Sequence, residues 1–378
     1  MRRRFTLALS SLLAISAVMG VHFVRTAASS GVPDPWHQQT FANLFGVRGM
    51  SFPLVSNGYA ISFLRDVSGP TKGRVHVARL SNGQVIELPF WIQGVAAIHI
   101  DSAAVTPRGD RLLLVGEYTL DPEGVYLLNG LTRLPMQPDH VNKLQSVVNF
   151  LADIALDNSR PAQVKQLDVT PERVCTIDGS TTWILGQDWP KESQATDGLQ
   201  DYHLLRHYSS DGTLIASFVS RTSVSGFPVP LNYHTSASSH VGFMSCAGSS
   251  IGLLLGRPGA LFWAMLNQDT GVLQQQIIRA PKALVPTGVA LISTDAAYVS
   301  FGTRPRVNEP RIPGTWFSRP VSLYVLRPQN GTWGLDRITD PDRGQTFSVV
   351  LGHDGASLVH LLGPTVPKDD PTVYWTTP

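Results

Sequence analysis

Four residues have the types and spacing to gather at one site. His99, Asp101, Asp168 and His240 each stand fifteen to eighteen positions ahead of a glycine that closes an apolar run, Gly116, Gly186 or Gly256. Two imidazoles with two carboxylates make a mixed nitrogen and oxygen donor set of the kind that holds a divalent metal ion, the one cofactor these residues would take. Such an ion would support a metal-assisted hydrolase or lyase reaction. A second group belongs to recognition. Arg304, Arg306, Arg311 and Arg319 share the segment 303–320 with a single acid, Glu309, and with Trp316 and Phe317. Guanidinium groups beside aromatic rings suit an anionic or sugar-like ligand, or the hot spot of a protein interface. Trp189, in the segment 187–201, would add a second aromatic wall.

Two further motifs carry little chemistry. Gly248-Ser249-Ser250-Ile251-Gly252 matches the G-x-S-x-G pattern of serine hydrolases. That pattern works only on a sharp strand-to-helix elbow, and this copy falls between two strand-like runs with no helix signal after it. His203 and His207 have the spacing of zinc ligands on a helix, but the glutamate of a metalloprotease helix is absent. The stretch reads as a strand, where residues four apart lie about 13 Å from each other, too far to share one ion. They read as surface histidines.

The elements that must position these residues repeat. Apolar runs closing on a small turn recur at 57–64, 111–116, 182–186, 252–256, 297–302 and 357–363. Each of the first five is followed by a turn dipeptide between alternating residues: Asn82-Gly83, Asn129-Gly130, Asp211-Gly212, Thr270-Gly271 and Asn330-Gly331. The pattern predicts an all-β fold of four-stranded units near 48–90, 96–136, 163–219, 239–279 and 284–339. A last unit at 346–375 lacks one strand, for which 39–45 is a donor. This is the plan of a β-propeller of six blades whose N-terminal strand closes the last, or of seven if 137–162 or 219–238 hides strands. Asp139 could cap a helix through Val141, Leu144, Val148, Leu151 and Ala155, so an inserted helix is expected near 139–156. The segment Val105-Thr106-Pro107-Arg108-Gly109-Asp110-Arg111-Leu112 resembles the strand turn of the TolB-like propeller superfamily, and Leu167-Asp168-Val169-Thr170-Pro171 and His353-Asp354-Gly355 echo it. The resemblance covers the repeat skeleton and names no specific family.

Composition bounds the rest. The chain has 378 residues, 43% hydrophobic and 15% charged, enough for a large core, with 33 Gly and 27 Pro to serve many turns. Arg2, Arg3 and Arg4 precede an uncharged run from Phe5 to Val24, and Thr26-Ala27-Ala28 offers small residues for cleavage. Residues 1–28 therefore read as a signal peptide or a single N-terminal anchor, and 29–378 as one propeller domain. Either reading places the body outside the cytoplasmic membrane, periplasmic or extracellular. The formal charge of +2 includes four arginines in 1–28 and no acid there, so the remainder carries 2 − 4 = −2. A near-neutral body argues against nucleic acid as a partner. Membrane contact would run only through an uncleaved N-terminal segment. Cys175 and Cys246 sit in apolar strands and read as two buried free thiols. The expectation is an exported propeller that binds a protein, carbohydrate or anionic ligand at its loop-rich face without transforming it. The alternatives are the metal-assisted enzyme at the mouth of a central channel and a structural component of the cell envelope.

Overall fold

A computed structural model describes residues 37–40, 54–64, 66–70, 73–121, 147–187, 200–201, 203–217, 231–232, 241–257, 260–280, 284–303, 319–338, 347–353, 358–363 and 372–376. The chain divides into two units, Met1–His37 and Gln38–Pro378, and the first contributes only His37 to the described residues.

Every regular element among the described residues is a strand. After β1 (His37–Thr40) come β2 (Leu54–Ser56), β3 (Tyr59–Phe63), β4 (Asp66–Val67), β5 (Arg74–Arg79) and β6 (Val85–Pro89). β2-β3-β5-β6 form one antiparallel sheet, while β4 crosses to the edge of the next. That second sheet orders β4, β7 (Ala97–Val105), β8 (Arg111–Thr119), β9 (Val147–Ala155) and β10 (Gln163–Gln166). The third has β11 (Thr170–Cys175), β12 (Thr181–Gln187), β14 (His203–Ser209) and β15 (Leu214–Ser217), with β13 (Gln200–Asp201) pairing β16 (Leu231–Asn232) in a separate ribbon. The fourth runs β17 (Val241–Ala247), β18 (Ser250–Arg257), β19 (Ala260–Asn267) and β20 (Leu273–Arg279). The fifth runs β21 (Leu284–Ser293), β22 (Ala296–Thr303), β23 (Arg319–Gln329) and β24 (Thr332–Ile338). β25 (Phe347–His353), β26 (Leu358–Gly363) and β27 (Thr372–Thr376) form a sheet with β1 hydrogen-bonded beyond β27. The first strands of consecutive sheets lie side by side, and β25 also meets β2, so they close a ring. Sheets radiating from a ring of first strands are the arrangement of a β-propeller.

The unbroken apolar runs follow from this arrangement. A strand inside such a sheet is covered on both faces, so both sets of alternating side chains must be apolar. Leu112 and Leu114 of β8 pack with Ile61, Val75 and Val77 of the first sheet. Leu113 and Val115 face the other way, onto Val174, Ile184 and Tyr208 of the third. The same division repeats further on. Trp183, Leu185 and Leu205 meet Ile251, Leu253 and Leu266, and Leu254, Trp263 and Ile278 meet Leu291, Val299 and Phe301. Each such side chain contributes about 1.5–3 kcal/mol when fully buried. Turns at the outer hairpins follow local chemistry. Asn330 and Gly331 between β23 and β24 both have positive φ, 51° and 81°, which Asn and Gly tolerate with least cost.

Two expectations are corrected. The segment expected as a helix is β9 from Val147 on, and its proposed start at 139–146 lies outside the described residues. Val148, Leu151 and Ala155 do fit a helical spacing, but Phe150, Ala152 and Ile154 between them are apolar as well. Those three pack toward the first sheet while Leu151 packs toward the third, which a strand allows and a one-faced helix does not. The second sheet therefore extends to Gln166 rather than ending near 136, and the third begins at Thr170 rather than 163. Cys175 and Cys246 are joined in a disulfide and not free, with Cα atoms 6.0 Å apart. Residues 71 positions apart in sequence meet because β11 and β17 are neighbouring first strands of the ring. Replacing Cys175 with Ser is expected to lower unfolding stability by roughly 2–4 kcal/mol. An unchanged denaturation midpoint, with wild-type protein shown by thiol titration to be oxidised, would contradict that contribution.

Candidate functional site

The two ends of the sheets differ. At one end the chain turns tightly from first to second strand, as between Ser56 and Tyr59, Ala247 and Ser250, or Ser293 and Ala296. At the other it runs from second to third strand, tightly in the fourth sheet between Arg257 and Ala260 but across much longer spans in three others, Thr119 to Val147, Gln187 to His203 and Thr303 to Arg319. Antiparallel order puts these long connections at the same end as the starts of the first strands. Arg304, Arg306, Arg311, Trp316, Trp189 and His240 fall in segments outside the described residues.

His99 and Asp101 lie at that end, near the start of β7. His99 Nε2 is 3.2 Å from Asp101 Oδ1, and the register shift between Ile100 and Ser102 bulges Asp101 out of the regular ladder. Opposite His99 stands Glu117 of β8, and opposite Glu117 stands Asn149 of β9. Directly paired residues of antiparallel strands point to one face, so His99, Glu117 and Asn149 form a polar row across three strands. Glu117 is buried at 6% exposure. Its position directly after the closing Gly116 was the available sequence signal. Burial could be recognised only once β9 had covered it.

Asp168 is held elsewhere. The Tyr208 hydroxyl donates to its Oδ1, and Arg206 Nη2 stands 3.4 Å from its Oδ2. Burial, reinforced by the Asp168 hydrogen bond and charge, pushes the Tyr208 phenol far above its usual pKa. Among the described residues no group of three or more His, Cys, Asp or Glu side chains is disposed to hold a metal ion. The structure thus brings His99 to Asp101 and gives Asp168 to Tyr208 and Arg206.

The other motifs resolve into structure. Ser250 opens β18, fully buried, with a turn and no helix around it, so the G-x-S-x-G match has no nucleophile elbow. His203 and His207 lie on strand β14 as expected. His207 is not a surface residue in the simple sense. Its ring stacks on Trp183 at 3.9 Å and 8°, and its Nε2 is buried. Burial lowers its pKa, opposed by the charge of Asp178. A polar clamp that the motif search passed over joins the second and third sheets. Asp153 accepts from Arg111 at 2.8 Å and from Arg160 at 2.7 Å, and Arg111 also donates to the Gly179 carbonyl in the third sheet's turn.

No protein-family model matches the chain, and no curated protein matches it. Among solved structures it is similar to an acylaminoacyl peptidase in complex with Z-Gly-Gly-Phe-chloromethyl ketone, at 8% identity and a TM-score of 0.44, over 85% of this chain and 44% of that one. It is similar to the β-propeller domain of Myceliophteria thermophila Cps50, at 10% identity and a TM-score of 0.42, over 90% of this chain and 98% of that one. A third is the β-propeller domain of the trilobed protease from Pyrococcus furiosus, at 9% identity and a TM-score of 0.38, over 86% and 92%. The chain spans less than half the length of the acylaminoacyl peptidase chain. Similarity this low carries no activity across, and the functional reading rests on this chain's own residues.

Removing the Asp153 carboxylate takes the ion pair from partly buried Arg160 and leaves Arg111 only its 4.0 Å contact with Asp110 and its bond to the Gly179 carbonyl. Asp153→Ala is expected to cost about 3 kcal/mol in a urea titration, and a loss within error of zero would show that solvent replaces the clamp. His207 gives a pH dependence. Its folded pKa lies below the ordinary imidazole value because the ring is partly buried, so the unfolded chain takes up a proton first as pH falls. Stability should therefore decline below about pH 6.5 until the folded pKa is passed. His207→Phe should flatten that part of the profile while keeping the stack on Trp183. An equal slope in both proteins would assign the protons elsewhere.

Proposed function

We propose that this chain is an exported six-bladed β-propeller, its last blade completed by the N-terminal strand, that binds a ligand or partner at its loop-rich end without transforming it. The observation that carries the reading is the asymmetry of the connections. The turns from first to second strand and from third to fourth strand are at one end, while the three long spans, 119–147, 187–203 and 303–319, are all at the other. Long connections on a rigid scaffold are where binding residues concentrate. Arg304, Arg306, Arg311 and Trp316 belong to one of these spans and Trp189 to another, a composition that favours a carbohydrate, an anionic ligand or an acidic protein surface. Six sheets of four or five strands and a closed ring of first strands support the blade count, and β1 beside β27 supports the closure. The basic and apolar segment at 2–24 supports export, as does the disulfide, a bond that persists in oxidising compartments.

Tryptophan fluorescence titrated with acidic oligosaccharides tests the binding reading. Saturable quenching is expected, weakened roughly tenfold or more in an Arg304→Ala, Arg311→Ala double variant, with Trp316→Ala removing much of the signal. Quenching that survives all three substitutions would place binding away from this span. Stoichiometric zinc or calcium in the purified protein, lost in His99→Ala, would turn the reading toward metal-assisted chemistry.

A further inference from the structure

At the opposite, tight-turn end a cleft of about 340 Å³ opens between the first and second sheets. Its walls come from three turns: Asn57 to Tyr59 between β2 and β3, Arg79 to Ser81 after β5, and Pro107 to Gly109 between β7 and β8. Two of these residues are arginines, Arg79 and Arg108, both exposed, and no carboxylate is among the lining residues.

That combination stands out against the other arginines. Arg74 pairs with Glu87, Arg111 and Arg160 with Asp153, Arg206 with Asp168, and Arg327 with Asp336. Among the described residues neither Arg79 nor Arg108 is in such a pair. The acid nearest in sequence, Asp110, accepts from the Thr106 hydroxyl at 2.5 Å. That hydrogen bond lowers the Asp110 pKa, with smaller help from the charges of Arg111 and Arg108. Two like charges brought to one cleft whose lining holds no carboxylate repel, and an anion between them relieves the repulsion.

The cleft is also held in shape. Arg79 Nη2 donates to the Tyr59 hydroxyl at 3.1 Å, and its guanidinium lies 5.6 Å from the centre of the Tyr59 ring. Tyr59 is buried and packs so closely on Gly109 that a Cβ there would run into its hydroxyl. Asn57 Nδ2 donates to the Val105 carbonyl at 2.6 Å, and the Val105 N–H donates to Ser56 Oγ at 3.1 Å, tying the two sheets together beneath the opening. One arginine is therefore fixed and the other lines the cleft from the neighbouring sheet, as does the exposed Ser81. Guanidinium forks match the oxygen spacing of phosphate, and fixed donors lose less entropy on binding than mobile ones.

We infer that this cleft is a second binding site, for a phosphate-type oxyanion, whether free or carried as the ester group of a small molecule. It does not depend on the reading of the loop-rich end. Isothermal titration calorimetry of the purified protein with inorganic phosphate and with a hexose phosphate tests it. Saturable binding is expected that weakens with added salt, competes with sulfate and is absent for the uncharged hexose. Arg108→Ala should weaken it about tenfold or more, and Ser81→Asp, which puts a negative charge in the lining, should abolish it. Both positions are exposed, so melting temperatures should stay unchanged. Tighter binding of the hexose phosphate would identify an ester ligand, and equal binding the free anion; both support the site. The inference is overturned if neither phosphate binds, or if binding persists in both variants. Loss in the Arg304→Ala, Arg311→Ala variant with retention in Arg108→Ala would move the anion to the loop-rich end, leaving the function proposed above intact and this site refuted.

Discussion

A sheet with two apolar faces is stable only when both are covered, and here the second, third and fourth sheets are each covered by a neighbour on either side. Residues 112–115 show the constraint on a single strand, with Leu112 and Leu114 serving one interface and Leu113 and Val115 the next. No sheet in the series can be the last, because its outer face would be left to water. The ring of first strands answers this by returning from β25 to β2. Once the ring exists, the positions of the connections, the polar clamps and the disulfide all follow from which strand ends it brings together.

Charged groups serve this architecture where apolar contact ends. The interface between the second and third sheets is apolar through Leu113, Val115 and Ile184, and it finishes at Asp153 with its two arginines. Toward its other end Tyr208 belongs to the apolar cluster while its hydroxyl reaches Asp168. Asp168 itself is about half exposed, yet both its oxygens have partners, the Tyr208 hydroxyl on one and Arg206 beside the other. The cation-rich cleft at the tight-turn end is a contrast, since no carboxylate lines it and its walls are fastened by hydrogen bonds of the Asn57, Ser56, Arg79 and Tyr59 side chains.

Strand positions were legible where a run is bounded by turn dipeptides. Asn82-Gly83, Asp211-Gly212, Thr270-Gly271 and Asn330-Gly331 all lie between the third and fourth strands of a sheet, as their flanking alternation implied. Legibility failed at β9, because a strand buried on both faces carries apolar residues at every spacing and a helical subset can always be drawn through it. The error moved the boundary of two sheets. It also hid Glu117, whose burial depends on β9 lying beside β8. Asn129-Gly130, a turn signal of the same kind, lies outside the described residues.

The sequence by itself determined the all-β class, the recurrence of short strands and the places of their tight turns, because these depend on side-chain alternation and local backbone preference. It also marked which residue types were present to bind a metal or an anion. Tertiary structure alone decided which of them meet. Cys175 reaches Cys246 across 71 positions because two first strands are neighbours in a ring. Arg79 and Arg108 share a cleft because two sheets pack face to face. Spacing along a chain fixes what neighbours do within one strand or turn. Partners from different sheets are set by how the sheets pack, and no local pattern encodes that distance.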